Sequence, residues 1–97
     1  MVATSGSTFI MGAEKQLSFS AFILGLASSA LIHLGVTPNP ETQTISTDLR
    51  LARQSIDILA LLGDKTRGNL TFEEEQLFAS TLADLRLRFV EKSASKG

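Results

Sequence analysis

Apolar residues in the second half of the chain recur at alternating steps of four and three. Ile45, Leu49, Ala52, Ile56 and Leu59 form one such series, and Phe78, Leu82, Leu85 and Phe89 form another. A helix turns about 100° per residue, so each series falls on one face and makes the seam of an amphipathic helix. The first of these two predicted helices starts between Thr44 and Thr47, where Thr44, Ser46, Thr47 and Asp48 are all able to cap. It ends near Lys65, with Gly68 as the stop. The second opens on Thr71-Phe-Glu-Glu74, a capping box: the Thr71 hydroxyl accepts from the backbone of Glu74, and the Glu74 carboxylate reaches back. Glu73, Glu74 and Glu75 also set negative charge at the positive end of the helix dipole. The short loop between the two seams predicts an antiparallel helical hairpin.

Upstream the pattern changes. Residues 19–35 read FSAFILGLASSALIHLG, and between Lys15 and Glu41 no residue is charged unless His33 is protonated. Ser18 is placed to cap a helix from about Ser18 to Leu34, Gly35 to end it in the left-handed conformation, and the prolines of PNPE to make a rigid turn. Phe19, Ile23, Leu24, Leu26, Leu31 and Leu34 spread over a broad apolar face. Ala21, Gly25, Ser28 and Ser29 gather on the other side, with Phe22 and Ile32 among them.

One hairpin seam covers only one side of such a helix, which leaves the rest for lipid or for another copy. The stretch is about long enough for a bilayer, which takes roughly 20 apolar residues. Ser20, Gly25, Ser28, Ser29 and His33 dilute it, however, and a histidine within a span needs its own partner. A cleaved export signal needs a basic start and a small-residue cleavage site, whereas the residues before Gln16 offer only Lys15, beside Glu14. Self-association is therefore the expectation, as a dimer or a higher oligomer. Ala21, Phe22, Gly25, Ser28, Ser29 and Ile32 are the expected oligomer interface, because small residues every fourth position let a second backbone approach closely.

A length of 97 residues fits one domain. The expected organisation is a flexible N-terminal tail over residues 1–17, a three-helix domain over 18–91 and a flexible C-terminal tail over 92–97. A net charge of −1 supplies no positive field to attract nucleic acid or anionic lipid. Arg50, Arg53, Arg86 and Arg88 read as a solvated, ion-paired surface. The chain has no cysteine, which excludes disulfides, thiolate catalysis and thiolate metal sites. It also has no Trp or Tyr, the usual residues of a membrane interface.

Candidate chemistry is sparse. His33 is the only histidine and is expected to be structural, paired with Asp57 or Glu41. Three consecutive glutamates on a helix point in different directions, so capping explains Glu73 to Glu75 better than metal binding does. The loop KTRGNLT lacks the spacing of a phosphate-binding loop. His33, Lys65, Arg67 and Asn69 are the candidate contacts for a partner or an anion. The structural alternative is favoured: Lys65 caps the second helix, Gly68 takes a positive φ, and Asn69 ties the turn. No catalytic, cofactor-binding or metal-ligating residue is assigned.

Three stretches together resemble a known family: FSAFILGLASSALIHLG with PNP, then ARQSIDILALLGDKTRGNLTFEE, then LADLRLRFVE. The chain is similar to the bacterial family called domain of unknown function 1844 over residues 18–91. The most specific matches are Ile56 to Leu59, Lys65, Thr66, Gly68 to Thr71 and Glu74, with His33 to Gly35 and Pro38 to Pro40 in support. The resemblance implies a small, mostly helical, cytosolic protein and brings no activity or ligand with it. It favours a soluble protein over a membrane anchor. Gly63, a poor residue for the last turn of a helix, leaves the end of the second helix open.

The expected fold is all-α: three helices, an apolar first helix packed on an antiparallel helical hairpin, completed by homo-oligomerisation. The expected role is a non-enzymatic, cytoplasmic interaction or scaffold protein whose partner is itself. One alternative is a small membrane-associated protein anchored by residues 17–36. The other is a ligand-binding or enzymatic subunit whose site forms between copies near His33, Lys65 and Arg67.

Overall fold

The computed structural model of the chain describes residues 8–11 and 15–96. Three helices carry the fold: α1 (Phe19–His33), α2 (Leu49–Lys65) and α3 (Phe72–Lys96). A two-stranded antiparallel ribbon precedes them, with β1 (Thr8–Met11) pairing Thr8 with Ser18 and Met11 with Lys15 of β2 (Lys15–Ser18). The sequence pattern predicts no strand here and a tail over 1–17. Strands of four residues are too short to display a period of two, and their pairing is carried by backbone groups that any sequence supplies. Residues 1–7 and 12–14 of the expected tail lie outside the described residues.

Each helix is bounded by the chemistry of its ends. Ser18 is extended, and its hydroxyl accepts from Ala21 N at 3.0 Å, which starts α1 as expected. At the other end Gly35 adopts φ 78°. Gly35 N donates to the Ile32 carbonyl and Val36 N to the Leu31 carbonyl, both at 3.0 Å, the paired bonds of a Schellman motif.

Of the four candidate caps of α2, Asp48 takes the role, its carboxylate accepting from Leu51 N at 3.1 Å. Asp48 N donates to the His33 carbonyl at 2.8 Å, so the start of α2 is tied to the end of α1. This late start leaves Ile45 outside the helix and 61% exposed, which removes it from the predicted seam. The physical reason is that a cap satisfied by Asp48 stops the helix from extending back through Thr44 to Thr47.

The capping box at α3 is formed in both directions. Thr71 N donates to Glu74 Oε1 at 2.8 Å, and Glu74 N donates to the Thr71 hydroxyl at 3.1 Å. At its far end α3 runs on to Lys96, through most of the stretch expected to be a tail. Residues 92–96 contain no glycine or proline, so nothing in them breaks the helix.

The core lies where the three helices meet. Ile23, Ala27 and Ala30 of α1 and its C-cap Leu34 recur at steps of four, three and four, and they pack with Ala52, Ile56 and Leu59 of α2 and Leu85 of α3. Phe19, Leu26, Phe78, Leu82 and Phe89 pack around this cluster. Fully burying each large aliphatic side chain contributes about 1.5–3 kcal/mol. The buried alanines let the helices approach closely. Gly63, near the end of α2, meets Phe78 near the start of α3, while Ile56 shares a groove with Phe89 further along. The two helices therefore run in opposite directions.

Candidate functional site

Because α1 commits Ile23, Ala27, Ala30 and Leu34 to the core, the positions between them turn outward. Ala21, Phe22, Gly25, Ser28 and Ser29 are all exposed, and Ile32 is half-buried at their edge. The structure thus gathers the six expected interface residues on one side of the helix. Leu24, expected on the covered face, joins them: it is 52% exposed, and Phe22 is 48% exposed. Gly25 sits near the middle of this arc, and a Cβ built there meets nothing within 4 Å. No charged residue interrupts it.

With 15 residues, α1 extends about 22 Å, short of the roughly 30 Å of a hydrocarbon core. No helix among the described residues is long and apolar enough to cross a membrane.

His33 closes α1, half-buried, and lines a groove of about 260 Å³ with Ser29, Ile32, Asn39, Pro40 and Glu41. Glu41 shares this groove without an ion pair to His33, and Asp57 pairs with Arg53 at 3.9 Å instead. Neither expected histidine pair is formed among the described residues. The difference follows from the late start of α2, which brings the His33 backbone rather than its ring against Asp48.

The polar loop after α2 is spent largely on its own turn. The Thr66 hydroxyl donates to the Leu62 carbonyl at 2.8 Å, so Thr66 rather than the Lys65 side chain closes the helix. Arg67 pairs with Asp64, Gly68 adopts φ 87°, and Asn69 N donates to the Thr66 carbonyl at 2.9 Å. Lys65, Arg67 and Asn69 are exposed. The 17 residues of α2 hold these three about 25 Å from His33. The four candidate partner or anion contacts are therefore not assembled within one copy.

The arginine surface is part-paired. Arg88 Nε donates to Asp84 Oδ2 at 2.9 Å, and this hydrogen bond raises the Arg88 guanidinium above its ordinary pKa. Such exposed pairs contribute little to stability. Arg50 and Arg86 are exposed and form no ion pair among the described residues. Glu74 is buried in the capping box while Glu73 and Glu75 are exposed. Among the described residues no group of three or more His, Asp or Glu side chains is arranged to hold a metal.

Two features escape the sequence reading. One is a groove of about 350 Å³ between α2 and α3, floored by Ala60, Gly63, Phe78 and Leu82. The other is a second, outward face of α3 bearing Phe72, Leu87 and Val90. A signal for the latter exists: Phe72, Ala79, Ala83, Leu87 and Val90 are spaced by seven, four, four and three. Assigning α3 a single seam hides it.

These features define a small three-helix domain with an uncharged, outward-facing first helix and a capped helical hairpin. The model of the family described as Domain of unknown function (DUF1844) matches residues 16–91, and the chain belongs to that family. No curated protein and no solved structure matches the chain.

Proposed function

We propose that the chain is a non-enzymatic, self-associating interaction or scaffold protein of the cytoplasm, joined to a second copy through the outward face of α1. One observation carries this reading: Phe22 and Leu24, each about half exposed, flank an uncharged arc centred near Gly25. Contiguous exposed apolar surface on a small protein marks an interaction site. A twofold operation sets the same arc against itself, and the open space over Gly25 lets the two backbones come close. The distance between His33 and the KTRGNLT loop supports a contact surface over a single reaction centre.

Light scattering after size-exclusion chromatography, without detergent, tests this reading. The native chain is expected to show more than one copy per particle. Gly25→Arg is expected to lower that mass while circular dichroism stays helical. A native monomer, or a variant of unchanged mass, overturns the proposal.

A further inference from the structure

Leu85 fixes the inward side of α3, with Phe78, Leu82 and Phe89 packed beside it. On a neighbouring face, whose Val90 lines a shallow groove with Ile56 and Asp57 of α2, Phe72, Leu87 and Val90 are 71%, 59% and 61% exposed. Ala79 and Ala83 lie exposed between them. At about 100° per residue these five positions share one face, and no charge falls within it. Glu75 and Arg86 border one edge of the face. Both are exposed, and neither forms an ion pair among the described residues. Eleven residues separate them, close to three full turns, so they stand on the same edge.

We propose that a second copy of this chain docks on this face with its α3 antiparallel, the two helices crossing at Ala79 and Ala83. Charge complementarity selects this occupant and this orientation. A twofold axis beside residues 80 and 81 sets Glu75 of each copy opposite Arg86 of the other. Within one residue of this register, Phe72 comes against Val90 and Ala79 against Ala83. Bulky side chains then close the two ends, and small ones permit the approach at the centre. A parallel twofold arrangement turns this edge of one copy to the far side of the seam from the same edge of the other, so no Glu75–Arg86 pair forms between copies. This contact is independent of the one on α1. A chain with two different twofold contacts builds a closed tetramer where the axes intersect at right angles.

The chain has no cysteine, which makes a cross-linking test clean. In the double variant Phe72→Cys with Val90→Cys, the introduced thiols are about 27 Å apart along one helix, so a disulfide forms only between copies. Oxidation is expected to give a covalent dimer that reductant dissolves. Ala83→Arg, at an exposed position, is expected to weaken association at this face by about tenfold or more while helicity is kept. Glu75→Arg alone is expected to weaken it also, and Glu75→Arg with Arg86→Glu to restore it. Absence of the covalent dimer, an unchanged mass in Ala83→Arg, or failure of the exchanged pair to restore association each overturns the proposal. Gly25→Arg leaves the α3 cross-link intact, so failure of the α1 contact and failure of this one are read separately.

Discussion

Gly63 of α2 stands directly against the ring of Phe78 on α3: a Cβ at position 63 would fall 2.8 Å from Phe78 Cζ and closer still to Cε2. A glycine so near the end of a helix, costly by propensity, is thereby explained. The absent side chain is the space the ring occupies, and the helix continues past it to Lys65. Gly63→Ala gains up to about 1 kcal/mol of helix propensity but overpacks the contact at a cost of about 1–3 kcal/mol. The expected net result is a loss of about 1 kcal/mol, read as a lower urea midpoint. Adding Phe78→Leu is expected to make Gly63→Ala less costly, or favourable, in a double-mutant cycle. A stabilised Gly63→Ala single variant would show that the ring moves aside freely.

Leu59 and Ile45 belong to one predicted seam, yet the structure buries Leu59 completely and leaves Ile45 in the loop. Leu59→Ala is expected to cost about 2–5 kcal/mol, because it empties a packed site. Ile45→Ala is expected to stay within about 0.5 kcal/mol of the native chain. Equal losses in chemical denaturation would place Ile45 back in the core.

The reciprocal bonds between Thr71 and Glu74 hold the start of α3. Thr71→Ala removes the acceptor for Glu74 N and is expected to cost about 1 kcal/mol. Glu74→Gln keeps a side-chain oxygen able to accept from Thr71 N and is expected to cost less. Thermal unfolding of the two variants decides the order. A Thr71→Ala variant as stable as the native chain refutes the role given to the box.

Gly35 and Gly68 both adopt a positive φ but differ in their surroundings. A Cβ at Gly35 runs into the Thr47 hydroxyl, whereas one at Gly68 meets nothing within 4 Å. Alanine at either site pays the left-handed penalty of about 1–2 kcal/mol. Gly35→Ala is expected to cost more than that, because Thr47 must also shift. Unfolding midpoints that rank Gly68→Ala as the worse variant would contradict the packing of the loop before α2 against the end of α1.

How far the sequence carries depends on the range of the interaction. Ser18, Gly35, Gly68 and the Thr71–Glu74 box act over three to five residues, and all four stand where the pattern puts them. Asp48 was one cap among four equally able residues, and local chemistry alone does not choose between them. Its selection depends on the bond from Asp48 N to the His33 carbonyl, 15 residues back. The candidate set of His33, Lys65, Arg67 and Asn69 fails for a related reason. Sequence marks each as polar and near a helix end, but the direction of α2 separates them.

By itself, then, the chain determined three helices, the caps of α1 and α3 and the apolar character of α1, since these depend on periodicity and short-range bonds, and its motifs marked the family. Tertiary packing decided that Leu24 joins the outward arc of α1, why position 63 is glycine, and that the second apolar face of α3 stays uncovered. A leucine on the border between two apolar arcs has no preferred side until neighbours cover one. The small residues of α2 acquire their meaning only from the rings packed against them.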